Sequence, residues 1–177
     1  MTSVAIRRAT AADAAVLAKL AMQTFNDTFA GVNTPADMAA HSARSYGVDL
    51  QRAEIVAPSI RTLLAERDGH AIAYAQLRAE SAPGCVATRP TIELWRFYVD
   101  KTAIGSGVAR ELMAAVLAEA AASGARSLWL GVWERNPRAI AFYRKFDFEE
   151  VGNHRFTLGS DVQNDLIFER LLAAPAA

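Results

Sequence analysis

Two glycines, Gly105 and Gly107, stand between a strand-like run and a helical stretch, and this arrangement can bind an anion. The N-terminus of a helix offers unpaired N–H groups and a positive dipole end, so the loop suits the phosphates of a cofactor. A second strand and a second helix, which begins at Asn136, follow. The same residues fit an ordinary strand–helix–strand unit whose glycines only tighten a turn, because a short Gly-x-Gly is weak by itself. The spacing alone leaves both interpretations open.

Few residues in the chain are suited to disulfide or metal chemistry. Cys85 is the only cysteine, which excludes an internal disulfide and a multi-cysteine metal site. His41, His70 and His154 are scattered without a ligand-like spacing, so we predict no metal site. Cys85 follows a Pro-Gly pair in an expected loop, and we interpret it as an inert thiol.

Length and composition predict one globular domain. The chain has 177 residues, of which 52% are hydrophobic and 21% are charged. We place the domain at residues 1–172, followed by a frayed tail at residues 173–177. The net charge is zero, which argues against nucleic-acid or membrane-surface binding through bulk charge. No 18-residue apolar run and no signal-peptide core are present, so we expect a soluble cytoplasmic protein.

The first part of the chain is predicted to fold as a strand followed by three helices. Residues 4–8 alternate as a strand, and Thr10 with Asp13 is typical of a capped helix start. The segment at residues 25–31 mixes aromatic and polar groups, and we expect the helix to break at its end. A helix opening at Thr34 and a weaker one over residues 49–55 follow. These two helices fit a substrate cleft wall or simple packing equally well.

The remainder is predicted to hold most of a sheet. Asp68-Gly69 is a strong hairpin turn between strands at residues 61–66 and 71–77. A third strand covers residues 91–99, and a helix runs from Gly107 to a stop at Gly124. Residues 128–132 form a buried strand of parallel type, before a helix over residues 136–146. Two last strands, at residues 148–158 and 162–172, are joined by a turn at residues 159–161.

These residues resemble the Gcn5-related N-acetyltransferase (GNAT) superfamily over essentially the whole chain. The match is most specific over residues 94–148, where the glycine loop fits the family's pyrophosphate loop. The loop lacks the leading Gln or Arg of that pattern, and Ile104 places an apolar side chain near the phosphates. Asp147 stands where the family usually has Gly, but Asp tolerates a left-handed backbone.

A finer resemblance points to the bacterial spermidine/spermine N-acetyltransferase subgroup. It is carried by Thr-Phe-Asn-Asp-Thr-Phe at residues 24–29, Trp-Leu-Gly-Val-Trp-Glu at residues 129–134, and the segment at residues 136–143. The resemblance implies an α/β (α+β) fold with a mixed, mostly antiparallel sheet of about seven strands flanked by helices. A splayed pair of parallel strands would hold the cofactor.

The resemblance also implies acetyl-CoA as the cosubstrate and assigns residues to it. The backbone of the strand end would pair with the pantetheine amides, and the loop and the second helix would hold the rest. The implied cofactor-binding residues are Phe97, Tyr98, Val99, Ile104, Gly105, Ser106, Gly107, Val108, Ala109, Arg110, Asn136, Ala139 and Tyr143.

Acetyl transfer to an amine needs a proton for the departing thiolate, and Tyr143 is our candidate general acid. Asn136 and Tyr143 are seven residues apart, so they share one helix face at a separation of roughly 10 Å along the axis. From the spacing alone, Tyr143 fits equally well as a core aromatic residue beside Phe142 and Phe146. The resemblance favours the catalytic role.

An amine is mostly protonated at pH 7, so the reaction also needs a proton acceptor. Glu93 is our candidate base, directly or through water, although a structural carboxylate is at least as compatible. Trp95 should face the same side of the strand and could stack on a cationic substrate or pack in the core. Asp27 with Asn26 could receive a cationic amine, or could simply end the first helix.

The leading hypothesis is an acetyl-CoA-dependent N-acetyltransferase that acts on a small polyamine-like amine in a ternary complex. The alternatives are acetylation of a protein N-terminus or an aminoglycoside, or a non-catalytic acetyl-CoA sensor. A dinucleotide-binding domain is disfavoured because Arg110 stands where the third glycine would fall. We expect no nucleic-acid or membrane partner, and exposed strands near the C-terminus leave a homodimer open.

Overall fold

A computed structural model describes residues 4–31, 33–158 and 161–173. The strands are β1 (Ala5–Arg8), β2 (Ile60–Arg67), β3 (His70–Arg78), β4 (Thr91–Val99), β5 (Ser127–Trp133), β6 (Glu149–Leu158) and β7 (Asp161–Leu171). The α-helices are α1 (Ala14–Phe29), α2 (Pro35–Ser45), α3 (Val48–Val56), α4 (Val108–Ala122) and α5 (Pro137–Arg144). None of the helices in these described ranges is both long and apolar enough to cross a membrane. Nearly all of the predicted tail lies outside the described residues.

The strands form one mixed sheet in the order β1-β2-β3-β4-β5-β7-β6. The pairs β1–β2, β5–β7 and β6–β7 are antiparallel, and β4 pairs with β5 in parallel. This confirms the predicted mixed, mostly antiparallel sheet and the parallel character of β5. The described β4–β5 pairs end at Glu93 with Trp129, and β5 continues from there to Trp133.

Contacts divide the chain into two compact units. The first unit contains Met1–Leu77 and Arg96–Val116, and the second contains Arg78–Trp95 and Leu117–Ala177. Each has fully buried apolar side chains, whose removal from water is the main stabilising contribution to folding. In the first unit these include Leu17, Leu64, Leu112 and Met113. In the second they include Leu128, Leu130, Ile167 and Phe168.

The first helix, α1, runs through Asn26 and Asp27 and ends at Phe29, inside the segment in which the sequence predicts its end. The hydroxyl of Thr24 donates to the carbonyl of Leu20 at 2.8 Å, and Thr28 donates to the carbonyl of Thr24 at 2.8 Å. Such bonds to the preceding turn satisfy the hydroxyls without breaking the helix. The predicted end of the helix in the segment at residues 25–31 is therefore confirmed, and the alternative in which Asn26-Asp27 ends the helix is wrong.

Two turns follow the sequence predictions. Asp68 and Gly69 both have positive φ, as a two-residue hairpin requires. After α5, Asp147 takes the left-handed conformation at φ 59. The N–H of Phe148 donates to the carbonyl of Tyr143 and that of Asp147 donates to Arg144, which is the Schellman pattern. The prediction that Asp preserves this turn is confirmed.

Two predicted boundaries near the C-terminus are wrong. Helix α5 ends at Arg144, two residues before Phe146, and the Schellman turn follows it. Asp161 belongs to β7, where it pairs with Leu158, so it does not form part of the turn. The other two predicted turn residues, Gly159 and Ser160, lie outside the described residues.

Helix α3 contributes a buried carboxylate to the first unit. Glu54 Oε2 accepts a bond from Arg96 Nη1 at 2.6 Å, and Arg96 Nη1 also donates to Gln76 Oε1 at 2.7 Å. All three side chains are buried. A buried charge is tolerated only when it is paired and hydrogen-bonded, so these contacts fix α3 against β3 and β4. The packing interpretation of α3 has direct support.

The backbone of Gly152 in β6 lies directly against Cys85. A Cβ at position 152 would stand 2.8 Å from Cys85 Sγ and 2.9 Å from Cys85 Cβ. Cys85 is half-buried and packs on a cluster formed by Val86, Trp129 and Ile167. Through this close contact, Cys85 packs its loop against β6.

We expect Gly152→Ala to destabilise the protein by about 1–3 kcal/mol, because the added methyl group must displace a packed side chain. Gly84→Ala is the matched control, since a Cβ there meets nothing within 4 Å. Thermal unfolding of both variants tests this expectation. Equal melting temperatures for the two variants would show that Cys85 can move away from the added methyl group without loss of stability.

Candidate active site

The glycine loop is held from its N-terminal side by Asp100. Asp100 Oδ1 accepts bonds from the N–H and the hydroxyl of Thr102 at 2.8 and 2.6 Å, and these bonds lower the pKa of Asp100. Asp100 Oδ2 accepts a further bond from Gln23 Nε2 at 2.7 Å. A short 3-10 turn at Lys101–Ala103 results. This turn leads directly into the glycine loop, so the backbone at the start of the loop is held in place.

The loop itself turns through two glycines with left-handed backbone, Gly105 at φ 82 and Gly107 at φ 91. A Cβ at either position would meet nothing within 4 Å, so both glycines border open space. Between them, Ser106 donates its hydroxyl to the Ala103 carbonyl at 2.7 Å and accepts a bond from Arg67 Nη2 at 3.0 Å. Ile104 is exposed, with 44% of its surface accessible. The Ser106 side chain is thus engaged by protein, and the loop can offer a ligand its backbone.

Helix α4 begins immediately after this loop. The N–H groups of Arg110 and Glu111 donate to the Gly107 carbonyl at 3.0 and 3.2 Å, which is the start of the helical bonding. The N–H groups of the first turn, including Val108 and Ala109, precede the first intrahelical donors and point along the axis. Val108 is buried and anchors the turn, and the Arg110 side chain is exposed. This is the geometry of an anion site with a cation beside it.

The end of β4 lies next to the loop in the same unit. The side chains of Phe97, Tyr98 and Val99 are half-buried. Tyr98 stacks on Tyr74 with a centroid distance of 5.7 Å, which fixes the strand end. Pairing of this backbone with a pantetheine arm stays a prediction.

Asp27, the predicted amine-binding residue, pairs with a cation of its own chain. Its Oδ1 accepts a bond from Lys101 Nζ at 3.1 Å at the protein surface. Asn26, one residue earlier in α1, is half-buried. An amine would therefore have to compete with Lys101 for the Asp27 carboxylate. Substrate binding by Asp27 and Asn26 stays a prediction.

The second unit brings Glu93 and Trp95 together, as the strand period predicts. Arg78 in β3 links them: its Nε donates to Glu93 Oε2, and its guanidinium lies over the Trp95 ring at 4.2 Å from the centroid. Burial raises the pKa of the Glu93 carboxyl, while the hydrogen bond from Arg78 acts in the opposite direction. Glu93 is thus a buried carboxylate on the aromatic side of β4. Arg78 was not singled out from the sequence, because its contact depends on the pairing of β3 with β4.

Helix α5 carries the remaining predicted residues. Asn136 caps it, with Oδ1 accepting a bond from the Ala139 N–H at 3.1 Å. Tyr143 is buried and meets Phe142 and Phe148 edge-on at centroid distances of 5.6 and 5.7 Å. The core interpretation of Tyr143 is therefore correct for its ring, and the ring contacts leave the role of its hydroxyl as a prediction.

Two further polar residues lie over Gly131 in β5. A Cβ at position 131 would stand 3.5 Å from Asp165 Oδ2 and 3.5 Å from His154 Cε1. Burial raises the pKa of the Asp165 carboxyl, the charge of His154 lowers it, and Glu134 adds to the rise. Local sequence patterns do not predict this pair, because its placement depends on the register of β6 with β7. Within the described segments, no three His, Cys, Asp or Glu side chains are grouped as a metal ion requires.

Known proteins resemble this chain in sequence and in fold. The sequence model of the acetyltransferase (GNAT) family matches residues 22–148. An uncharacterised N-acetyltransferase of Mycobacterium bovis is 34% identical over 165 residues, covering 90% of this chain and 98% of the relative. Another from Lactobacillus delbrueckii subsp. lactis is 28% identical over 172 residues, covering 97% of this chain and 99% of the relative.

A solved structure shares the fold. The PaiA N-acetyltransferase of Thermoplasma acidophilum, solved in complex with coenzyme A, superimposes with a TM-score of 0.76. The match covers 96% of this chain and 99% of that one at 22% identity. It supports the fold and leaves the acceptor open.

Proposed function

The chain belongs to the acetyltransferase (GNAT) family of acetyl-CoA-dependent N-acetyltransferases, and from this premise we propose that its acceptor is the primary amine of a small polyamine-like molecule. The observation that carries the cofactor assignment is the loop before α4. Gly105 and Gly107 border open space, and the first-turn N–H groups of α4 follow them. An anionic pyrophosphate can approach such a backbone, and no side chain between the glycines blocks it.

Three groups of residues would hold acetyl-CoA. The loop and first turn, residues 104–110, would bind the pyrophosphate, with Arg110 adding positive charge. The backbone at residues 97–99 would pair with the pantetheine amides, and one N–H there would polarise the acetyl carbonyl. Asn136 and Ala139 would border the pantetheine arm at the start of α5. The loop lacks the leading Gln or Arg of the family pattern. Pyrophosphate binding would still be possible, because backbone N–H groups would make the contacts to the phosphates.

The reaction would need two proton transfers. Tyr143 would give its phenolic proton to the departing sulfur, which needs only mild help as a thiolate. A carboxylate near β4 would remove a proton from the acceptor ammonium, and Glu93 is the one that the sequence predicts. Trp95 would provide an aromatic wall for the cation, and Asp27 with Asn26 a second point of attraction.

A ternary complex is favoured over an acetylated enzyme. Cys85, the only cysteine, is packed against the Gly152 backbone. An acyl-carrying thiol needs an exposed, activated thiolate. Direct attack by the amine on bound acetyl-CoA is therefore the simpler route.

An amine panel with thiol detection tests the acceptor. Purified protein and acetyl-CoA would be combined with spermidine, a free amino acid, kanamycin or a peptide with a free N-terminus. We expect spermidine to give the highest kcat/KM. Preference for the peptide or kanamycin would replace the polyamine assignment. If none of the amines raises thiol release above background, the sensor alternative is favoured.

Two further predictions concern the oligomeric state and the cellular location of the enzyme. Strand β6 lies at the edge of the sheet, so a second copy could add to it and form a homodimer. Analytical ultracentrifugation would decide this, and a monomer at micromolar concentration would exclude it. The cytoplasmic location predicted from the sequence stays a prediction.

A further inference from the structure

The space above Gly131 in β5 is bordered by a carboxylate and an imidazole. Asp165 and His154 are direct neighbours across the β6–β7 ladder, and Asp165 pairs with Trp133 of β5. The Asp165 carboxylate leans from this position over Gly131, where a Cβ would be 3.5 Å from Oδ2. Glycine thus leaves open the volume that any other side chain at position 131 would fill.

This space adjoins the Glu93 cluster within the same unit. Glu93 pairs with Trp129, and Gly131 lies two residues further along β5 on the same face of the sheet. The charge of His154 lowers the pKa of both Glu93 and Asp165, so the imidazole lies within electrostatic reach of both carboxyls. The described β4–β5 pairs end at Glu93, just before Gly131.

The two carboxylates differ in their partners. Glu93 Oε2 accepts a bond from Arg78 Nε, so a guanidinium occupies this carboxylate. Asp165 takes part in none of the ion pairs found among the described residues, and it is half-buried. A carboxylate that no arginine holds is the better proton acceptor, because no guanidinium competes for its oxygens.

We propose that Asp165, in place of the sequence-predicted Glu93, is the catalytic carboxylate that accepts the proton of the acceptor ammonium over Gly131. In this step the ammonium N–H bond breaks and Asp165 becomes a neutral carboxyl. The neutral amine then forms its bond to the acetyl carbon, the carbon–sulfur bond breaks, and the sulfur leaves with the second amine proton, relayed by Tyr143. Asp165 returns its proton to water. Glu93, fixed by Arg78, contributes negative charge toward the same ammonium.

This inference rests on the proposed acetyl transfer. The variant Asp165→Asn tests it, with the amine of the panel that gives the highest kcat/KM as the acceptor. Asn keeps the shape but cannot take a proton at neutral pH. We expect kcat/KM for the amine to fall about 100-fold or more. The affinity for acetyl-CoA, measured by calorimetry, should stay unchanged. If kcat/KM of Asp165→Asn for the amine stays within about two-fold of the wild-type value, the assignment of Asp165 is overturned while the proposed function is left intact.

The pH profile supplies a second test through Glu134. The groups that face Asp165 are His154 in β6 and Glu134 after β5, and Glu134 raises its pKa. Glu134→Gln should therefore move the acidic limb of kcat/KM to lower pH while turnover stays within about two-fold. Gln can still accept the bond that Asn164 Nδ2 makes to Glu134 at 3.0 Å. An acidic limb that does not move would contradict Asp165 as the titrating base.

A rescue variant separates chemistry from folding. Gly131→Asp in the Asp165→Asn background returns a carboxylate to the same space from β5, where an added Cβ makes only ordinary contacts. We expect at least ten-fold recovery of kcat/KM over Asp165→Asn alone. Absence of recovery, with a melting temperature equal to that of the single variant, would count against a proton-accepting role at this place.

Discussion

Replacement of Gly107 by valine is expected to raise the KM for acetyl-CoA between about 10- and 100-fold, with a smaller effect on kcat. Gly107 has φ 91, which a β-branched residue adopts only under strain. The loop would relax from the conformation that exposes the first-turn N–H groups of α4. The new side chain would also occupy the open space that the glycine borders. A loss of about 1.4 kcal/mol in binding corresponds to each ten-fold rise.

Gly124→Val is the matched control for this variant. Gly124 has a similar backbone, φ 81, and equally open surroundings, but it follows the C-terminal end of α4. It should lower the melting temperature while leaving the KM for acetyl-CoA near the wild-type value. An unchanged KM in Gly107→Val would refute the placement of the pyrophosphate.

Tyr143→Phe is expected to lower kcat about 100-fold, because a positioned proton donor typically contributes at least that much. The ring contacts of Tyr143 with Phe142 and Phe148 would be kept, so the melting temperature and the KM for acetyl-CoA should change little. Initial rates over a range of pH measure the effect.

Tyr74→Phe is the matched control for Tyr143→Phe, because it removes a buried tyrosine hydroxyl from β3 instead of from α5. The Tyr74 hydroxyl is buried and has no hydrogen-bond partner among the described residues. Its removal should leave kcat near the wild-type value and cause little loss of stability. If Tyr143→Phe behaves in the same way, its hydroxyl has no part in proton transfer.

Local signals in the sequence predicted most elements of the fold. Asp68-Gly69 and Asp147 adopt the left-handed backbone that their residue types permit, and the third strand is found at residues 91–99. An error occurs where strand pairing overrides a local turn signal. Asp161 pairs in the ladder, which shortens the turn before it.

The candidate site was predictable where its residues are close in sequence. The loop, the α5 cap and the shared side of Glu93 and Trp95 follow from spacing alone. Arg78 and Asp165 were missed because strand pairing places them. A register shift between Glu150 and Gly152 moves β6 by one residue against β7, so sequence alternation could not have placed His154 beside Asp165.

The central claim is that the protein moves an acetyl group from acetyl-CoA directly to an amine, and product analysis tests it most directly. The protein would be incubated with acetyl-CoA labelled in the acetyl group and with spermidine, followed by mass spectrometry of the amine and of the intact protein. We predict labelled N-acetyl amine and free CoA in equal amounts, with no label on the protein. Free CoA without an acetylated amine, or a labelled protein, would contradict the account.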